Sequence, residues 1–305
     1  MTKTAVIDAT AMKATFRGYG FLFVGMAIVG MYVALSKPLT QAFPVFLLAT
    51  LRFAIAAILM VPWLKHDAEV SSFVPAPSVR STLFWQSFFG NFLFSIFMLY
   101  GVSMTSATAS GVILASLPAV VALLSWLLLK EKLRPSTIAA VFFAFGGVAA
   151  LSVVKVPSSG MSTLGNVLVF CCVCCEAVYI ILGKRLTLTL SPQRISALIN
   201  VIGLVLMLPL GIWQALDFNF AAVPAATWAL LVFYAVAASI FSTWAWLTGL
   251  KTVPASQSGV FTIALPIAAT AVGVCFLGES LTWIHALAFA CAVIGIGLIA
   301  WPRKE

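Results

Sequence analysis

Residues 107–135 read ATASGVILASLPAVVALLSWLLLKEKLRP, and residues 255–283 read ASQSGVFTIALPIAATAVGVCFLGESLTW. At an offset of 148 positions, Ala107/Ala255, Ser110/Ser258, Gly111/Gly259, Val112/Val260, Leu117/Leu265, Pro118/Pro266, Glu131/Glu279 and Leu133/Leu281 coincide, in one order and without a gap. Apolar sequences match themselves often by chance. A shared Ser-Gly-Val, a shared Leu-Pro and a shared Glu-x-Leu do not follow from leucine bias, and a fixed internal period marks a duplicated unit. The offset carries outward: Lys37 meets Arg185, Pro44 meets Pro192, Leu99 meets Leu247, Gly101 meets Gly249 and Gly147 meets Gly295. The chain therefore divides into two related halves, 1–155 and 156–305, joined near Val156-Pro157-Ser158-Ser159-Gly160.

Each half is too apolar for water. The chain is 63% hydrophobic and 8% charged, with a mean hydropathy of +1.13, whereas about a quarter of a soluble domain is charged. Apolar runs of about 20 residues cross a bilayer as helices. Ten such spans are expected, near 18–36, 44–64, 80–103, 107–130, 135–154, 161–184, 191–213, 225–250, 254–278 and 282–301, with Pro38, Pro44, Pro135, Pro157, Pro192, Pro224 and Pro254 punctuating their ends. The N-terminus to Arg17 holds Asp8 and lacks a small-residue cleavage site, so it reads as a cytoplasmic tail rather than a signal peptide.

The basic residues orient the spans. Lys3, Lys13, Arg17, Lys65, Arg80, Lys130, Lys132, Arg134, Lys184, Arg185, Arg194, Lys251, Arg303 and Lys304 fall on the side of the N-terminus, and only Lys37 and Lys155 on the other. Lys and Arg accumulate in cytoplasmic loops, which places both termini in the cytoplasm and accounts for the net charge of +9 without nucleic acid. Five spans per half is an odd number, so the second half enters from the opposite side. The expected fold class is an all-α polytopic membrane protein with ten transmembrane helices as two inverted five-helix repeats. Secondary transporters recurrently use that architecture, with the solute site near the midplane between the repeats.

Two charges lie deep within spans. Glu176 is mid-span in the sixth, about 10 Å from either end at the helical rise, where an ionised carboxylate is costly and defaults to a functional reading as a proton carrier or a partner for a solute ammonium. A protonated, hydrogen-bonded structural Glu is the bland alternative. Arg52, in the second span, could bind a solute carboxylate through two parallel hydrogen bonds, or satisfy backbone carbonyls, or pair across the bundle with Glu176. The run Cys171-Cys172-Val173-Cys174-Cys175 could hold a soft metal ion, but with no His and a wholly apolar setting it reads as packing. No metal or cofactor is expected.

The layout resembles the drug/metabolite transporter superfamily, in its ten-span EamA-type exporter branch. The residues that carry the likeness are the Ser-Gly-Val, Leu-Pro and Glu-x-Leu run of spans four and nine, Phe145-Gly146-Gly147 and Ile294-Gly295-Ile296-Gly297 in spans five and ten, Lys37 after span one and Arg52 in span two. The family's usual Trp-Gly in span one is Val29-Gly30 here. The resemblance implies a central cavity lined by spans 1–4 and 6–9, with 5 and 10 peripheral, and export of small metabolites. A YddG-like exporter of aromatic amino acids is the preferred member, although these motifs are shared between branches. Since the family keeps the span-two Arg whatever its substrate, a structural role is preferred for Arg52.

Within the cavity spans Tyr32, Asn91, Ser95, Tyr100, Ser110, Ser116, Tyr179, Tyr234, Ser239, Trp244, Ser258 and Thr262, with Glu176, supply hydroxyls, amides and rings suited to an amphipathic or aromatic solute. Ser and Thr in membrane helices also bond their own backbone or a neighbour. Pro118 and Pro266, at equivalent depths, would weaken spans four and nine as gating kinks. There is no G-x-x-x-x-G-K-[ST] loop, no H-E-x-x-H, and no Asp within a span, so a built-in ATPase, a zinc protease and an aspartyl protease are excluded. The expected function is secondary transport by alternating access, exporting amino acids or related small metabolites across the bacterial cytoplasmic membrane, with solute and lipid as partners and the oligomeric state open. The rival is a membrane interaction or lipid-handling subunit with no solute path; a polar cavity favours the first and a sealed apolar bundle the second.

Overall fold

The computed structural model describes residues 3–64, 76–129, 162–253 and 264–279, with a few single positions beyond them. The elements are α1 (Lys3–Ala42), α2 (Val45–Leu59), α3 (Pro77–Met104), α4 (Ala107–Leu114), α5 (Leu117–Leu129), α6 (Thr163–Leu186), α7 (Pro192–Ala215), α8 (Ala225–Thr252) and α9 (Ala264–Leu277). Among the described residues there is no strand.

Five helices are long and apolar enough to cross a membrane: Phe16–Ala42 within α1, and α3, α6, α7 and α8. Apolar segments in the expected spans two, four and nine are shorter: Val45–Leu59, Ala109–Val121 and Ala264–Leu277. Spans five and ten, the linker near 156–160 and most of the loop 65–79 lie outside the described residues.

Two expectations about helix ends are corrected. Pro38 does not end the first helix, which continues to Ala42. Pro38 leaves the Ala34 carbonyl without its usual donor, and the cost is offset by burial beyond it: Leu39 and Phe43 are fully buried, Phe43 packing edge-on to Trp228 at 5.1 Å. Span two, expected to 64, stops at Leu59. Pro62 lacks an N–H, and after Met60 the chain makes only one further turn, Val61–Leu64.

The packing follows the repeat. α1 packs on α8 and α9, while their equivalents α6 and α3–α5 pack on each other, and α2 packs on its own equivalent α7. Most of each half's interior therefore faces the other half. The halves approach closely at Gly30, where a Cβ would collide with the Leu265 carbonyl of α9, and at Gly211, where it would collide with the Thr50 side chain of α2. The repeat also reaches local geometry. α3 contains a π-turn at Phe88–Leu93 and α8 one at Val236–Phe241, 148 positions apart at both ends. A π-turn upsets the backbone hydrogen-bond ladder and is frequent at functional sites. Here side chains meet the carbonyls at the equivalent positions 91 and 239: Ser95 Oγ donates to the Asn91 carbonyl, and Asn200 Nδ2 donates to the Ser239 carbonyl at 3.2 Å.

Candidate functional site

The two π-turns face one another across a central cavity. α1 contributes Met26, Val29 and Tyr32, and α2 contributes Arg52. α3 contributes Gly90, Asn91 and Phe94, α6 Glu176 and Tyr179, and α8 Ala238, Ser239, Ser242, Thr243 and Trp246. The space between these side chains, counted with its open mouth, is about 440 Å³. Gly90 is required where it stands, because a Cβ there would strike the Tyr179 ring.

Arg52 is 4% exposed. Its Nη2 donates to Ser95 Oγ at 2.6 Å, extending the chain from Ser95 to the Asn91 carbonyl, while Asn91 Nδ2 donates to the Ile199 carbonyl at 2.7 Å. The guanidinium carbon stands 4.2 Å from the Phe53 ring centre and 5.9 Å from that of Tyr234, cation–π contacts that help hold a desolvated cation. Tyr234 in turn meets Tyr32 edge-on at 5.7 Å. Among the described residues Arg52 Nε is buried without a partner.

Glu176 is 8% exposed and faces the cavity. Among the described residues its carboxylate has no hydrogen bond, and the one ion pair is Lys37–Glu279, so Arg52 and Glu176 do not pair. Other lining or adjacent polar atoms are buried without partners among the described residues: Ser239 Oγ, Tyr234 OH and Trp246 Nε1. An unmet buried donor costs about 1–3 kcal/mol. A solute offering acceptors to these groups recovers that cost.

Of the residues singled out from sequence, Tyr32, Arg52, Asn91, Glu176, Tyr179 and Ser239 line this cavity, with Ser95 and Tyr234 directly behind Arg52. The others sit elsewhere. Tyr100 is half-buried against Phe46 at 5.7 Å. Ser110 and Ser116 bond their own helix, at Ser106 O and Ile113 O. Trp244 stands edge-on to Phe21, and Ser258 and Thr262 are buried away from the lining. Pro118 and Pro266 each lie in the first turn of a helix, α5 and α9, just after an interruption: Ala115–Ser116 form a turn before α5, and Phe261–Thr262 a 3-10 turn before α9. Sequence reasoning missed Met26, Val29, Gly90, Phe94, Ala238, Ser242, Thr243 and Trp246 as lining residues. The 148-residue offset held a signal for several, since Gly90/Ala238, Asn91/Ser239 and Phe94/Ser242 are equivalent positions that all line the cavity.

The fold and the cavity together define a multi-pass, all-helical membrane protein with a polar chamber between two related halves. The model of the EamA-like transporter family matches residues 16–153 and 163–301, and the chain belongs to that family, within the drug/metabolite transporter superfamily. It is 31% identical to the uncharacterized transporter YetK of Bacillus subtilis (strain 168), over 96% of this chain and 90% of that one. It is 24% identical to an uncharacterized transporter of Archaeoglobus fulgidus, over 84% of this chain and 88% of the relative. A solved crystal structure superposes with a TM-score of 0.64 at 19% identity, covering 95% of this chain and 96% of its own; that likeness concerns the fold alone. Family and relatives point to a transporter rather than an enzyme.

Proposed function

We propose that the chain is a secondary transporter that exports amino acids, aromatic or other, and related small metabolites across the bacterial cytoplasmic membrane by alternating access. In this reading ten spans form two inverted repeats and both termini are cytoplasmic. The observation that supports it best is the pair of opposite charges, Arg52 and Glu176, that line one cavity without pairing. Buried charges are retained when something compensates them, and a zwitterion compensates both at once, its carboxylate on Arg52 and its ammonium by Glu176. The rings of Phe94, Tyr179 and Trp246 give the solute's side chain an apolar wall. A polar chamber of this kind weighs against the non-transporting, lipid-handling alternative.

The test is efflux from cells loaded with labelled amino acids, with and without the protein. Faster loss of at least one amino acid in its presence is expected. Equal loss across aromatic, aliphatic and polar amino acids overturns the reading, and a C-terminal reporter exposed outside the cell overturns the topology.

The helix interruptions before Pro118 and Pro266 support the same cycle. Chain continuity is weakest where the backbone ladder is already broken, so each half bends there at low cost. Pro118→Ala or Pro266→Ala is expected to slow efflux about fivefold, the scale of a modest shift in a two-state equilibrium, while solute binding by purified protein survives. Normal efflux in both variants removes the gating role.

A further inference from the structure

One charged contact joins the two halves far from the cavity. Lys37 Nζ on α1 lies 3.0 Å from Glu279 Oε1, just past the end of α9. The side chains are 28% and 13% exposed, so the pair is partly shielded from water, where an ion pair outweighs its fully exposed counterpart. Glu279 is held in place locally: Gly278 ends α9 in the left-handed region, at φ 66°, and the Glu279 N–H turns back to donate to the Gly273 carbonyl at 3.0 Å. Beneath the pair, α1 and α9 touch backbone to backbone at Gly30 and Leu265. By the basic-residue distribution this end of the bundle is the outer one, and Lys37 is one of only two cations there.

The sequence repeats both charges at the equivalent positions of the opposite halves, Glu131 and Arg185. Arg185 is exposed and makes no ion pair among the described residues. Glu131 lies outside the described residues. In an inverted repeat the closure at one face exchanges with the closure at the other, so a charged pair that joins the halves at one face is placed to act as a state-dependent latch.

We propose that the Lys37–Glu279 ion pair is the latch of the outer gate, holding α1 against α9 and closing the cavity to the outside. This rests on the alternating-access reading but goes beyond it, by assigning the closure to two named side chains outside the solute chamber. The test uses Tyr32→Cys, which places a thiol on the cavity wall, in intact cells exposed to a membrane-impermeant thiol reagent, with the same chain carrying Tyr32 as background for its native cysteines. Lys37→Met and Glu279→Gln are each expected to raise the labelling rate about fivefold, the population shift that loss of a partly shielded pair produces. Lys37→Glu combined with Glu279→Lys, which restores the pair reversed, is expected to return labelling to within about twofold of the parent. Labelling unchanged in both single variants overturns the latch, as does a reversed pair that labels like the singles. Labelling needs no solute, so the latch can stand although the efflux test fails, and fall although efflux is seen.

Discussion

Glu176→Gln is expected to lower efflux about tenfold or more, the scale set by losing a membrane-buried charge that has a working partner, and to flatten the pH dependence of what remains, with folding largely intact. Gln keeps the size and the hydrogen-bonding capacity of Glu176 and removes only its ability to ionise. Among the described residues the carboxylate has no hydrogen bond or ion pair to lose. The charged and titratable groups around it are Arg52 on α2, Tyr32 on α1, and Tyr179, Cys172 and Cys175 on α6. Glu176→Gln leaves each of these groups in place, so a change in the pH profile reports Glu176 itself. Efflux measured across pH in both proteins decides the matter: a variant with the parent's rate and pH profile returns Glu176 to a structural role.

Arg52→Met is expected to weaken binding of a carboxylate-bearing solute about a hundredfold, the upper range for a charged hydrogen bond, with Arg52→Lys intermediate. Lys keeps the charge and loses the planar fork. The competing role, in which Arg52 only braces α3 through Ser95 and Asn91, predicts a different split. Both variants would then lose thermal stability, and binding per folded molecule would be unchanged. Equilibrium binding of an amino acid and of its amine analogue without the carboxylate separates the two. A solute site weakens the first and spares the second, and equal weakening of both leaves Arg52 as a brace.

The repeat was legible from one chain because duplication leaves residues of low chance frequency, such as Ser110/Ser258 and Pro118/Pro266, in a fixed register. Its reach into backbone geometry was not expected. The equivalent π-turns at Phe88–Leu93 and Val236–Phe241 have no dedicated sequence signature. Their carbonyls are met by Ser95 and Asn200, residues whose targets depend on which helix stands beside them. Arg52 and Glu176 were found because a charge in an apolar run is costly enough to stand out whatever surrounds it.

Membership of the membrane class, the duplication, the depth of the two buried charges and the likeness to EamA-type transporters were thus determined by local composition and register. Tertiary structure alone decided that Arg52 and Glu176 share a chamber without touching, that Trp246 borders it while Trp244 two residues away packs on Phe21, and that Lys37 reaches Glu279 across 242 positions. The physical reason lies in the solvent. In water the buried face of a helix is more apolar than its exposed face, and the pattern betrays which way it turns. In a bilayer the lipid is as apolar as the protein core, hydropathy no longer separates the two faces, and rotation is set by close packing and a few interhelical hydrogen bonds.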